Sequence, residues 1–355
     1  MAQKILMKDQ ISKLYDDLAQ DYANIFAPVK EKGNIIFKKI TNADDIFLDY
    51  LNSKVPPKEV LFPKKEVLFE YKTDGTNVTE ITERKDLDEK ILIFGVRPCD
   101  AHSFEILKDY FAFGNYQDEI FLKKKENTVI IGIGCNSPRS TCFCTSINGH
   151  PFNKDDSDVF LVDLGDKYLV DAVSEKGKSL IQKLSWLSDA NEADVQKAQE
   201  LSKQAEESIV TILDLSNVPA TLDPNFEHPI WAEISDICIG CGTCSFLCPT
   251  CTCFDVIDEN EPYGNKGRRI RIWDTCQSCL YTRETSGHNP RNSCIERCRN
   301  RIMHKFRVYP KNYEYIGCVG CGRCVRLCPV NNDLRTIIQK INEIEDKKEE
   351  GKVNA

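Results

Sequence analysis

One cysteine pattern occurs twice in this 355-residue chain. Cys238-Ile239-Gly240-Cys241-Gly242-Thr243-Cys244-Ser245-Phe246-Leu247-Cys248-Pro249 and Cys318-Val319-Gly320-Cys321-Gly322-Arg323-Cys324-Val325-Arg326-Leu327-Cys328-Pro329 both read C-x2-C-x2-C-x3-C-P. Such a run binds 4Fe–4S cubanes. Three thiolates on one loop cap three irons only if the backbone folds closely around them, which Gly240, Gly242, Gly320 and Gly322 permit. The fourth cysteine, followed by Pro, is read as starting a helix and pointing away from its own loop. The pattern therefore predicts one cluster on Cys238, Cys241, Cys244 and Cys328, and another on Cys318, Cys321, Cys324 and Cys248. Zinc is satisfied by four cysteines but rarely takes three from one such loop. Buried free thiols would not recur twice in one register.

Six more cysteines lie between the runs. Cys276, Cys279, Cys294 and Cys298 form C-x2-C and C-x3-C pairs suited to one metal centre, read first as a third 4Fe–4S cluster. A structural zinc or packed thiols are the alternatives. Cys251 and Cys253 are candidates to replace one of those ligands. Cys244, Cys248 and Cys251 also show the C-x3-C-x2-C spacing of radical S-adenosylmethionine enzymes, but the longer motif already claims two of them. Upstream, Cys99 and Cys135 end predicted strands, with Cys142 and Cys144 close behind. Parallel strands would bring these four to one sheet edge, as a fourth iron–sulfur site or as small buried loop residues.

The elements that must position these thiols fall into distinct stretches. Ile11, Leu14, Tyr15, Leu18 and Tyr22 have helical spacing, and residues 1–33 read as helical. Strands are expected at Asn34–Ile40, Glu66–Tyr71, Ile91–Val96 and Thr128–Ile133, with a helix from Pro98 and a hairpin over Asp158–Ala172 turning at Gly165-Asp166. The fold expected is a mixed α/β domain over 1–189, then a helix and linker over 190–230. A ferredoxin-like, α-helical domain for two 4Fe–4S clusters follows over 231–335, with a Cys-rich insertion at 251–298. A charged helix and tail end the chain at 336–355.

Composition restricts function. The net charge is −8, which argues against a general nucleic-acid binder. No apolar run reaches the ~18–20 residues of a membrane span. The opening MAQKILMKDQ lacks the apolar core of a signal peptide, and the dense thiols suit metal rather than disulfides, so a cytoplasmic location is expected. Residues 262–312 carry twelve Lys and Arg against three acids. This basic stretch is either a solvated face or a docking surface for an acidic partner such as a soluble ferredoxin. No G-x-G-x-x-G, H-E-x-x-H or G-x-S-x-G is present. Gly177-Lys178-Ser179 lacks the upstream glycine of a phosphate loop, Ala172 standing in its place. His102, His150, His228, His288 and His304 are scattered.

Several segments resemble a known family: the 4Fe–4S dicluster subunits typified by the anaerobic sulfite reductase A subunit and the sulfhydrogenase beta subunit. They are Gly95-Val96-Arg97-Pro98-Cys99-Asp100-Ala101, Thr141-Cys142-Phe143-Cys144-Thr145-Ser146, Cys248-Pro249-Thr250-Cys251-Thr252-Cys253-Phe254, Ile272-Trp273-Asp274-Thr275-Cys276, Ser286-Gly287-His288-Asn289-Pro290-Arg291 and Arg301-Ile302-Met303-His304-Lys305-Phe306. The eight motif cysteines match that family's cluster ligands position by position, whereas Cys279, Cys294 and Cys298 depart from its pattern. The resemblance implies an anaerobic electron relay between a flavin subunit handling NAD(P)H and a catalytic subunit. That catalytic partner would be a sirohaem sulfite reductase, a nickel–iron hydrogenase or a heterodisulfide reductase-like module. The expectation is thus a non-catalytic electron-transfer subunit. The rival is a stand-alone reductase with a substrate or cofactor site at Cys99, Cys135, Cys142 and Cys144.

Overall fold

The structure, a computed structural model, describes residues 3–262 and 264–353, with backbone alone over 345–353. Of the charged helix and tail expected at 336–355, the backbone is described through Val353, and residues 354–355 lie outside the described residues. The chain forms two compact units. The first comprises Met1–Arg139, His150–Ser208 and Asp255–Trp273; the second comprises Ser140–Gly149, Ile209–Phe254 and Asp274–Ala355. This division is not the linear one expected. Residues 140–149 join the cysteine-rich unit, and most of the insertion's first half joins the α/β unit.

The first unit is built on β1 (Lys4–Met7), α1 (Ile11–Asp21), β2 (Asn24–Glu31), β3 (Asn34–Lys39), α2 (Lys58–Leu61), β4 (Lys65–Thr73), β5 (Val78–Thr82) and β6 (Ile91–Val96). There follow α3 (Pro98–Phe111), α4 (Glu119–Glu126), β7 (Thr128–Ile133), β8 (Val159–Asp163), β9 (Lys167–Ala172), α5 (Glu175–Lys183), β10 (Ser188–Asp189) and α6 (Glu192–Glu207). An eight-stranded sheet runs β10-β1-β9-β8-β7-β6-β2-β3. Its centre, β2, β6, β7 and β8, is parallel, and its flanks are antiparallel. β6 and β7 are buried along their whole length, as parallel strands covered on both faces must be. Alternate residues of β6 enter different cores. Leu92 and Phe94 pack with Leu14 and Leu18 of α1, while Ile91 and Ile93 pack with Phe104 and Leu107 of α3. Residues 1–33 correct the helical expectation, because only Ile11–Asp21 is α-helical and strands flank it. Sheet pairing with β9, β10, β3 and β6 outweighs the helical period there.

A second, four-stranded sheet runs β11-β12-β4-β5, with β11 at Phe254–Asn260 and β12 at Lys266–Trp273. β12 pairs antiparallel with β4, from Lys266 opposite Lys72 to Ile272 opposite Lys65. Buried Glu66 on β4 bridges Arg84 at 2.8 Å and Arg271 of β12 at 2.5 Å, and also bonds Lys124 of α4. Arg271 bonds Asp118 as well. These contacts hold the hairpin to the first unit.

The second unit is helical: α7 (Val218–Leu222), α8 (Ile230–Ser235), α9 (Thr243–Phe246), α10 (Cys294–Met303), α11 (Tyr309–Tyr313), α12 (Arg323–Arg326) and α13 (Leu334–Val353). Its core joins Trp231 and Ile234 of α8, Ile302 of α10, Phe306, and Ile337, Ile338 and Ile341 of α13, with Phe143 from the 140–149 segment. Between α10 and α11 the chain makes a π-helical turn over His304–Val308. Among the described residues, no helix is long and apolar enough to cross a membrane.

Candidate metal centre

The two cysteine runs fold alike. Gly240 and Gly242 have φ of +67° and +72°, and Gly320 and Gly322 have +61° and +67°. Left-handed backbone at alternate positions turns each loop tightly, and L side chains resist that conformation. The Gly320 N–H donates to Cys318 Sγ at 3.5 Å, and the Gly240 N–H bonds Cys238 in the same way. A short helix, α9 or α12, then carries the third cysteine of each run. The fourth cysteine follows that helix rather than starting one, so the expectation about its position is corrected. Its sulfur is directed instead by the backbone past the helix: the Asn332 N–H donates to Cys328 Sγ at 3.2 Å.

The runs meet. A cavity of about 60 Å³ is lined by Cys238, Cys241 and Cys244 of the first run, Cys324 and Cys328 of the second, and Cys298 of α10. Reciprocally, the charge of Cys248 from the first run acts on both Cys318 and Cys324 of the second. The second loop is roofed by residues 140–149. Phe143 N donates to Gly320 O at 2.9 Å, and Cys142 Sγ donates to Cys321 O at 3.8 Å. A Cβ on Gly320 would lie 2.5 Å from Cys144 N, and one on Gly322 would lie 2.4 Å from Thr141 O, so only glycine admits this roof. The first loop is more open, with Cys241, Ile237 and Ile239 exposed.

Arg301 and Lys305 are among the cations buried beside the thiols. Arg301 of α10 donates to Cys251 Sγ at 3.4 Å, and Lys305 on the π-turn donates to Thr250 Oγ1 and Gly317 O, both at 2.8 Å. Among the described residues neither makes a salt bridge to a carboxylate. Burial works against the charge of Arg301, yet Cys244, Cys251, Cys248 and Cys324 raise its pKa well above the ordinary value. Burial likewise opposes Lys305, and Cys248 and Cys251 raise its pKa. His304 is driven down to about 4 by burial and by these two neighbours, so it stays neutral near pH 7. Buried charges need counter-charges. Here the anions available are thiolates, as a thiolate-ligated cluster supplies. Loop geometry, cavity and buried cations thus all fit cubane clusters.

The other sequence candidates separate. Cys276 approaches Ser245 Oγ at 3.5 Å and is hydrogen-bonded by Cys253, which holds its pKa down at about 5. Cys294 and Cys298 instead face Cys238, and Cys279 is exposed. The four cysteines expected to share a third cluster therefore fall into different groups. Cys251 bonds Cys248, whose thiol it holds well below its ordinary pKa. Cys99, in the first turn of α3, and Cys135, just after β7, belong to the first unit, whereas Cys142 and Cys144 belong to the second. The basic stretch is not one face. Arg268 and Arg269 pair with Glu259 and Asp258 on the hairpin, Arg271 is buried against Glu66, and Arg301 and Lys305 are buried beside sulfur. Sequence reasoning missed that last role. The available signal was their i, i+4 spacing next to buried Ile302 and Phe306.

Two glycine-turned three-cysteine loops beside buried cations define an iron–sulfur protein of the dicluster class. Residues 237–332 match the family model of the 4Fe-4S dicluster domain. The chain is also 30% identical over 329 residues to the sulfhydrogenase 2 subunit beta of Pyrococcus furiosus, an alignment covering 91% of this chain and 94% of that one. It belongs to this family of 4Fe–4S electron-transfer subunits. No solved structure matches it.

Proposed function

We propose that the chain is the electron-relaying subunit of a hydrogenase-type oxidoreductase complex in the cytoplasm. It would stand between a flavin- and NAD(P)-binding subunit and a catalytic hydrogenase or reductase subunit. Cys238, Cys241, Cys244 and Cys328 hold one 4Fe–4S cluster in this reading, and Cys318, Cys321, Cys324 and Cys248 hold the other. Bound there, the clusters supply one-electron transfer without proton chemistry. The observation that carries the reading is that Arg301 and Lys305 are buried among these cysteines and, among the described residues, have no carboxylate partner. The protein's own residues do three things. The glycine-turned loops aim N–H groups at sulfur, Arg301 and Lys305 offset anionic charge, and the 140–149 segment shields the second loop. The exposed Cys241, Ile237 and Ile239 offer an apolar rim for a partner at the first loop.

The isolated full chain, purified without oxygen, is expected to take up about two electrons from a reduced viologen dye and to return them reversibly. It should show no sustained consumption of sulfite, disulfide or protons. Steady turnover by the chain alone would overturn the relay reading in favour of a stand-alone reductase.

A further inference from the structure

Cys294 and Cys298, two of the cysteines beyond the ferredoxin motifs, lie on one face of α10. The helix begins where it does because Ser293 caps it: its hydroxyl accepts from Ile295 N at 3.2 Å, and its backbone N–H donates to Glu296 at 2.7 Å. Residues four apart then share a face. Their sulfurs are 3.9 Å apart, and both lie within 4.8 Å of Cys238 Sγ. Among the described residues, no other trio of Cys, His, Asp or Glu is gathered so tightly.

That spacing separates two kinds of metal site. A cubane spreads its thiolates over different irons, so they stand far apart. A single tetrahedral ion with metal–sulfur bonds of ~2.3 Å places its sulfurs about 3.8 Å from one another. The 3.9 Å between Cys294 and Cys298 matches the second pattern, and Cys238 lies within 4.8 Å of both. A fourth donor is in place. Gln277 is buried, and its Nε2 donates to Arg297 O at 3.0 Å and to Cys276 Sγ at 3.4 Å. The Arg297 carbonyl fixes the amide, because a flipped Gln277 would set oxygen against oxygen. Oε1 therefore faces Cys298 Sγ at 3.7 Å and Cys238 Sγ at 3.9 Å.

We propose that Cys238, Cys294, Cys298 and Gln277 Oε1 form a mononuclear site for a thiophilic divalent ion, Zn²⁺ or Fe²⁺. The inference rests on the relay reading, in which Cys238 also serves the first cubane. A thiolate bound to one metal keeps lone pairs for a second, so Cys238 bridges the two sites. Binding requires no redox step. The thiols give up protons to solvent as the ion enters.

Iron, zinc and acid-labile sulfide are to be counted on the anaerobically purified full chain and on its Cys294→Ser/Cys298→Ser variant. Iron plus zinc should exceed sulfide by about one per chain, because a mononuclear site contains no sulfide. The variant should lose that one metal and keep all its sulfide. Metal equal to sulfide in the unmodified chain overturns the proposal without any reference to the variant's folding. So does a variant that loses no metal, meaning the thiols merely donate to Gln277, or one that loses about four iron and four sulfide, meaning the pair serves a cubane. Failure of the relay reading looks different: no sulfide at all in the unmodified chain.

Discussion

Lys305 shows how one residue records the chemistry around it. Its ammonium is buried, its hydrogen bonds go to a hydroxyl and a carbonyl, and its electrostatic support comes from Cys248, Cys251 and Cys318. Burying an ammonium without an anion costs several kcal/mol, so its position makes sense beside a permanently anionic group. Replacing it by Met keeps the volume and removes the charge. Lys305→Met should lower the midpoint potential of the nearer cluster by on the order of 50–100 mV, equivalent to about 1–2 kcal/mol of lost attraction for a one-electron couple. A redox titration followed by electron paramagnetic resonance checks this, and an unchanged potential would contradict the assigned role.

At the scale of elements, the β11–β12 hairpin shows how a segment embedded in a cysteine-rich stretch is recruited elsewhere. Its anchor is Glu66, which meets Arg84, Lys124 and Arg271. Burial alone would raise the pKa of Glu66, but Lys124 and Arg271 together bring it below the ordinary carboxylate value. A carboxylate depressed in the folded state stabilises the fold fully above its unfolded pKa of about 4.3 and loses that contribution as pH falls through the depressed value. Glu66→Ala leaves its buried cations without it and should destabilise the chain by about 3–5 kcal/mol at neutral pH, with a flatter loss of stability on acidification. Urea unfolding at pH 7 and pH 4 measures both effects. Equal acid sensitivity in the two proteins would exclude this role for Glu66. Much of the element pattern was legible from the sequence. The apolar runs Ile91–Val96 and Thr128–Ile133 and the Gly165-Asp166 hairpin stand where local pattern puts them. Residues 1–33 misled because α1 supplies a real helical period while the short β1 and β2 depend on distant partners. The hairpin was hidden because its exposed charged residues obscure any apolar alternation.

Across the whole molecule, the glycine turns of the two cysteine runs were legible because short spacings set them. The remaining thiols were not, since their neighbours come from tertiary packing. Cys276 meets Cys253 rather than Cys279, and Cys294 meets Cys238 across fifty-six positions of sequence. The basic stretch misled for the same reason, as charge counted along the chain does not distinguish Arg269, paired on an exposed strand, from Arg301, buried beside sulfur. The central claim is that two crossed loops hold two cubanes. It is tested most directly by acid-labile sulfide on the full chain purified without oxygen, beside a variant carrying Cys328→Ser. The native chain should contain about eight sulfides. The variant should lose the cluster of the first loop, falling toward four, although Cys328 itself lies in the second run. A variant that lost instead the cluster of its own loop, or a native chain with zinc and no sulfide, would contradict the account.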